Sequence, residues 1–411
     1  MSPMVRKNRP PALSEKGARA GRWGALVGIG TIGYVLAGYP LVITTWSRLK
    51  GEAAPVALSP RPISVIVSAH NEAGVIGPKL ASIAGGDYPL DLLQVIVSDD
   101  GSTDGTSDVV REVAPWAEVV RVQTRTGKMG AMQRGMARVR HDIVVFTDAE
   151  NILEPAALCE LVVPFGDPSV GAVNGAFLPQ GGAEAVSKGE RLYWRYEDAI
   201  KRAEANVGSL TSILGALLAV RTELVPELPD HLINDDFYLG MNVARSGRRV
   251  AYASRAVTSE SGAASLRGDA ARRARMTAGR WQTVLYWREI LPVRSPKVMW
   301  QVVSHKYLRL ILPLAMGVAL AGSTAEVLAR RTFGRPSALA TTVLMTQLGG
   351  YLLAASADQI PPSLSSVRSA AQAARYLVRA NAASAEGFWQ FLTAPEQLAL
   401  WERVEKVATA S

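Results

Sequence analysis

Residues 93–104 read LQVIVSDDGSTD, an apolar run that ends in an acidic, glycine-containing turn. Leu93–Ser98 has the composition of a buried strand. Gly101 and Ser102 suit a tight turn, and Asp99, Asp100 and Asp104 place carboxylates at the strand's carboxyl end. The flanking sequence repeats this plan. Ile63–Ser68 is a β-branched run, followed by a helical pattern over Gly74–Ala84. Downstream, the pattern predicts a helix at Thr106–Val113, a strand at Glu118–Val122, a helix at Lys128–Arg140 and a strand at Ile143–Phe146 that ends at Asp148. Strands alternating with helices predict an α/β fold on a mostly parallel sheet with helices on both faces. In such sheets ligands bind beyond the carboxyl ends of the strands, where these acidic motifs fall.

Three further groupings carry chemistry. Asp148-Ala149-Glu150 sets two carboxylates two residues apart at a strand end, where they can converge on one hard cation. Mg²⁺ takes few protein oxygens and fills its other positions with water and diphosphate. Asn234-Asp235-Asp236 opens the helical pattern Phe237–Arg245, and a carboxylate there can take a proton from a hydroxyl. Arg272, Arg273 and Arg275, with Arg280, Trp281 and Gln282, concentrate guanidinium groups, which match phosphate geometry and stay charged. These groupings and the Asp99–Asp104 turn each have a plainer reading. Thr103 or Asp104, and Asn234 or Asp235, suit helix N-caps, Asp148-Ala149-Glu150 suits a solvated turn, and the arginine segment suits a basic helix on anionic lipid.

Towards the ends the character changes. Trp23–Trp46 holds no charged residue, and about 24 residues at ~1.5 Å each cross ~30 Å of hydrocarbon. Gly28, Gly30, Gly33 and Gly38 allow either close helix packing or a bent, re-entrant path. Val298–Arg309 is amphipathic and suits an interface-lying helix. Leu310–Ala325 and Ala338–Ala357 are further apolar runs, whereas Arg375, Arg379 and Glu386 interrupt Ala371–Leu392. The resulting layout is a basic, Pro-containing disordered tail (1–22), a membrane helix (23–50), an α/β block (51–297), and an interface helix with C-terminal membrane helices (298–411). The net charge of +9 gathers partly at Arg6–Arg22 and Arg330–Arg335, beside the apolar runs, which points to lipid surfaces. No zinc-finger spacing or RNP-like aromatic motif accompanies it, so nucleic acid is disfavoured. Cys159 is the single cysteine, which excludes a disulfide within the chain.

In order and spacing the chain resembles the inverting family 2 glycosyltransferases of the GT-A fold, and within them the membrane-bound synthases of bacterial polysaccharides. The matching text includes PISVIVSAHNEAGVIG, VIVSDDGSTDGT, TGKMGAMQRGM, VVFTDAENILEPAAL, YWRYEDAIKRAEANVGS, LGALLAVR, INDDFYLGMNVARSGRRVAYASRAVTSE, RRARMTAGRWQ and SHKYLRLILP, over roughly residues 60–315. The resemblance implies a GT-A catalytic domain flanked by membrane helices. It implies a UDP-sugar donor of the UDP-glucose or UDP-N-acetylglucosamine type, with Mg²⁺ or Mn²⁺ as cofactor. The implied acceptor is a saccharide or a polyprenyl-linked saccharide, in contact with membrane lipid and with other membrane assembly proteins. Residue by residue it implies that Asp100 contacts the base and that Asn71 and Glu72 shape the loop around the nucleotide. Lys128 lies near the nucleotide or diphosphate, Asp148 faces the donor, and Asp148 with Glu150 holds the metal. Asp236 is the general base beside Asp235. Arg272, Arg273, Arg275, Trp281 and Gln282 form the diphosphate and acceptor segment, and Trp194, Glu197, Gly215 and Arg221 line the acceptor side.

The sequence departs from the family pattern twice. Glu150 replaces the usual second metal-binding Asp, and Arg272–Met276 replaces QxxRW, so processive polymerisation is not implied. The apolar runs are few for a secretion channel, which favours limited transfer or help from a partner chain. A rival of another class is a non-catalytic, nucleotide-binding membrane scaffold of a polysaccharide assembly complex. The expected location is the inner (plasma) membrane, multi-pass, with the catalytic block in the cytoplasm where nucleotide sugars are. The positive-inside rule puts Arg6–Arg22 in the cytoplasm too, and one spanning helix between them cannot satisfy both.

Overall fold

A computed structural model describes residues 12–51, 60–179, 188–229, 232–260, 266–292, 294–333 and 337–393. It divides into two compact units: 1–40 with 308–382, and 41–307 with 383–411.

The larger unit is built on an eight-stranded sheet with strand order β3-β2-β1-β4-β7-β6-β8-β5. The strands are β1 (Ile63–Ala69), β2 (Leu93–Asp99), β3 (Glu118–Arg121), β4 (Ile143–Asp148), β5 (Asn151–Leu153), β6 (Val170–Pro179), β7 (Leu218–Arg221) and β8 (Arg249–Glu260). β1 lies parallel to both β2 and β4, with Ala69 beside Asp99 and Ser68 beside Asp148. That register aligns three strand ends on one edge. Every residue of β1 is buried, as expected of a central strand covered on both faces.

The helices Ala73–Ala84, Thr106–Val113 and Gly127–Met136 match their expected positions, although the last ends earlier than the sequence pattern. One apolar layer joins Val65, Val67, Val95, Val97 and Val145 to Ile76, Leu80 and Val110. The other face carries Ile66, Ile96, Val144 and Phe146 against Met129, Met132, Phe237 and Met241. Past β4 the sheet is mixed rather than parallel. β7 runs antiparallel to β4 and β6, and β5 antiparallel to β8. Val298–Arg309, expected to lie along an interface, forms the helix Pro296–Val302 and a π-helical turn at Val303–Tyr307. Val298 and Val302 join the second apolar layer.

The smaller unit is helical. Ala12–Gly33 is one helix, so from Ala12 on the tail expected to be disordered is helical; it packs against Leu312–Phe333 through small residues. A Cβ added at Gly28 would stand 2.7 Å from the Ala315 carbonyl oxygen and from the Ala319 nitrogen, and one at Gly21 would stand 2.8 Å from the Gly322 carbonyl oxygen. The backbones therefore approach as closely as small side chains permit. Among the described residues, three helical stretches have the length and apolarity to cross a membrane: Glu15–Lys50, Leu312–Ala329 and Ala338–Ala355. Ser365–Thr393 forms one helix and is not among them.

Candidate active site

The carboxyl edge of β1, β2 and β4 presents the acidic motifs, and each is braced from below. Asp99 accepts from the Ser102 amide at 2.8 Å and from the Ser107 hydroxyl. Asp100, 1 % exposed, accepts from the Thr126 amide (2.7 Å), the Thr126 hydroxyl (2.9 Å) and the Gly127 amide (2.8 Å). Its carboxylate thus holds the start of the helix Gly127–Met136, where Gly127 takes a φ of +80° that favours glycine. Arg125 stands 3.9 Å from the same carboxylate and was not foreseen in the sequence. Asn71, at φ 55°, accepts from the Thr103 amide at 2.8 Å and donates its own amide to Ser102 Oγ at 2.9 Å. Glu72 is buried at the start of the helix Ala73–Ala84, and its amide donates to Thr106 Oγ1 at 2.9 Å. These residues build the loop rather than simply projecting from it.

Lys128, one residue past Gly127, joins the motifs. Its Nζ lies 2.9 Å from Asp148 Oδ1 and 3.1 Å from Asp235 Oδ2. Burial works against its charge, but Asp148 and Asp235 outweigh that and hold its pKa above the ordinary lysine value. Burial also raises the Asp235 carboxyl against the pull of Lys128, and Asp236 adds to the rise. Asp236 accepts from the Gly215 amide at 3.0 Å through Oδ2. A side chain at position 215 would crowd Lys128, whose Nζ would lie 3.3 Å from an added Cβ.

The loop ahead of Asp235 is fixed by the helix Leu266–Leu285. Gln282 Oε1 accepts from the Ile233 amide at 3.1 Å, and Asn234 Nδ2 donates to the Met276 carbonyl at 3.3 Å. Trp281 packs on Phe388 with ring centroids 4.8 Å apart. Arg275 is half-buried on the same helix, while the side chains of Arg272 and Arg273 lie outside the described residues. On the helix Lys188–Val207, Trp194 packs on Phe177 at 5.6 Å, and buried Glu197 lies 3.3 Å from His305 Nε2. His305 Nδ1 lies 2.7 Å from Glu204 Oε1, so the π-helical turn is pinned to this helix through buried polar groups. Nearby, Lys306 is pushed down to about 7 by burial, with Arg280 adding to the fall and Asp236 opposing it.

Arg221 is not brought to this site. In the antiparallel β4–β7 register it stands opposite Ile143, at the far end of β4 from Asp148. Its guanidinium donates to the carbonyls of Val170 (2.9 Å) and Phe165 (3.1 Å). The family resemblance implies it on the acceptor side, as part of the matching stretch LGALLAVR. A strand of four residues instead carries Gly215 and Arg221 to opposite ends of the sheet.

Asp148 and half-buried Glu150 offer hard oxygen donors, and Lys128 is surrounded by Asp148, Asp235 and Asp236, which together outnumber its charge. That donor chemistry fits Mg²⁺ or Mn²⁺. Among the described residues no group of three or more His, Cys, Asp or Glu gathers to hold a metal.

A mixed sheet bearing acidic loops at the ends of its first parallel strands is the GT-A class of nucleotide-sugar-dependent transferase fold. Within it, the chain belongs to the family described as glycosyltransferase like family 2, whose model matches residues 60–279. The chain is 27% identical over 216 residues to the probable glycosyltransferase YdaM of Bacillus subtilis (strain 168), covering 48% of this chain and 50% of that protein. It is 23% identical over 197 residues to the poly-beta-1,6-N-acetyl-D-glucosamine synthase of Staphylococcus aureus (strain MSSA476), covering 46% of this chain and 47% of that one. The match thus spans about half the length of these curated relatives. Among solved structures, the mannosyltransferase PcManGT from Pyrobaculum calidifontis, in complex with GDP-Man and Mn²⁺, aligns with a TM-score of 0.68. The alignment covers 92% of this chain and 99% of that one at 24% identity, which speaks for the fold.

Proposed function

We propose that the chain is an inverting, metal-dependent hexosyltransferase. It moves a sugar from a UDP-sugar, of the UDP-glucose or UDP-N-acetylglucosamine type, to a saccharide or polyprenyl-linked saccharide at the membrane. The observation that carries this reading is the convergence on Lys128 of Asp148 from β4 and Asp235 from the helix Asp235–Arg245, with Asp236 beside them on the Gly215 amide. The name of the staphylococcal relative supports a polysaccharide product.

The reaction is a single displacement. Asp236 takes the proton from an acceptor hydroxyl, and that oxygen bonds to the anomeric carbon as the bond to the diphosphate breaks. UDP departs, and an α-linked donor gives a β-linked product. The Gly215 amide orients the Asp236 carboxylate by binding Oδ2. Lys128 keeps its positive charge and offsets Asp148 and Asp235, so that an anionic donor can approach. A divalent ion, held by Asp148 and Glu150 when bound, supplies charge neutralisation for the leaving diphosphate. Asp100 acts on the nucleotide side by fixing the loop at Arg125–Gly127, and the base contact implied for it is part of this proposal. The segment Arg272–Gln282 faces the diphosphate and acceptor, and Trp194 and Glu197 shape the acceptor side.

The test is UDP release by the detergent-solubilised chain from a panel of UDP- and GDP-sugars, with and without Mn²⁺, and mass spectrometry of the product. Metal-dependent UDP release supports the reading. Release from GDP-sugars alone overturns the donor assignment, and no release from any donor leaves the non-catalytic scaffold.

A further inference from the structure

Lys79 carries an ammonium yet has no exposed surface. It lies within the helix Ala73–Ala84, and its Nζ donates to Thr147 Oγ1 at 2.8 Å and to the Asn151 carbonyl at 2.5 Å. Among the described residues no carboxylate forms an ion pair with it. Burial therefore pushes its pKa down to about 7, with only Asp148 opposing from a distance. A methionine would fill the same space without desolvating a charge. What the amine adds is two bonds, and they end on either side of Asp148-Ala149-Glu150.

Thr147 extends the connection. Its hydroxyl accepts from Lys79 and donates to the Ala216 carbonyl at 2.7 Å. Ala216 follows Gly215, whose amide donates to Asp236 at 3.0 Å. Hydrogen bonds, fully buried at Lys79 and part-buried beyond it, therefore run from Lys79 through Thr147 to the segment that holds the proposed base.

We infer that Lys79 is a positioning residue: by tying Thr147 to Asn151 it fixes the separation of Asp148 and Glu150, and through Ala216 it registers that turn against Asp236. The inference rests on the functional reading above, in which Asp148 and Glu150 hold a divalent ion. It concerns geometry supplied from beneath the turn, not contact with substrate.

The test is Lys79→Met in the full chain in detergent. Mn²⁺ is titrated in the presence of saturating UDP, with free Mn²⁺ followed by electron paramagnetic resonance and thermal stabilisation read in parallel. The variant should weaken Mn²⁺ binding about tenfold, the lower end of what lost support behind a metal ligand costs. UDP binding without metal, which depends on the Asp100 loop, should stay within about twofold, a split that general loosening of the fold would not produce. Wild-type Mn²⁺ affinity in a folded Lys79→Met protein overturns the inference. If that variant does not fold, Thr147→Val removes the same link with nearly the same shape, and unchanged Mn²⁺ affinity there overturns it equally. If the wild-type chain itself binds no Mn²⁺ with UDP, the functional reading falls and this inference with it.

Discussion

At the level of single residues, the site is a set of charges whose positions are fixed by neighbours. Asp236 touches the acceptor in the proposed reaction, and Asp236→Asn keeps an oxygen for the Gly215 amide while losing the base. Transfer should fall by at least about 100-fold with donor KM little changed, measured by UDP release. Asp100→Ala acts differently. It removes the acceptor of two backbone amides and one hydroxyl at the start of the helix Gly127–Met136. It should raise donor KM through Lys128, and it should lower stability by about 1–3 kcal/mol because buried donors lose their partner. Lys79 gives a pH signature of its own. Its folded pKa of about 7 lies below the ordinary 10.5, so between those values the unfolded chain binds more protons than the folded one. Wild-type stability should therefore rise, relative to Lys79→Met, as pH increases from 7 towards 10.5. A melting series for both proteins checks this, and a difference that stays flat across the range would refute the burial effect.

At the level of elements, the carboxyl-edge motifs could be read from sequence because each strand is a short β-branched run stopped by an acidic turn. Leu93–Asp99 and Ile143–Asp148 fall within a residue or two of their expected bounds. The later half was harder to read. β7 has only four residues, and its antiparallel pairing with both β4 and β6 leaves no local mark in LAVR, which is why Arg221 was misplaced. The contact of His305 with Glu197 and Glu204 spans 108 and 101 residues of chain, a separation that no spacing rule reports. Lys79 was equally hidden, since a lysine in the helical pattern Gly74–Ala84 reads as a solvent-facing position until the sheet covers it. The His305 contacts carry a prediction. His305→Ala removes the ring from between two buried carboxylates and should cost about 1–3 kcal/mol, seen as a lowered melting midpoint. Because the π-helical turn also bears Lys306, which opposite-charge attraction links to Asp236, acceptor KM should rise more than donor KM.

At the level of the whole molecule, the helices and the chemistry make separate demands on membrane placement. Among the described residues three stretches are long and apolar enough to span, and Gly28 shows how tightly two of them pack. An alanine there would meet backbone atoms at 2.7 Å, so Gly28→Ala should lower the melting midpoint in detergent while UDP affinity of the α/β unit is retained. In the proposed reaction, orientation follows from the donor. Nucleotide sugars are cytoplasmic, which requires the edge bearing Asp100, Asp148 and Asp236 to face the cytoplasm. The basic Arg6–Arg22 segment favours the same side, yet Glu15–Lys50 lies between them as a candidate span. A single crossing would separate the two, so one preference must yield. For the proposed nucleotide-sugar donor this requirement is absolute, whereas the charge bias is an energetic preference of roughly 1 kcal/mol per basic residue. The α/β unit should therefore be cytoplasmic. In a Cys159→Ser background, Asp108→Cys places a thiol on the exposed face of the helix Thr106–Val113. A membrane-impermeant maleimide should label it in inside-out vesicles and leave it unlabelled in intact cells. Labelling from the outside of intact cells would place the carboxylates away from any nucleotide-sugar pool, and the proposed UDP-sugar donor could not stand.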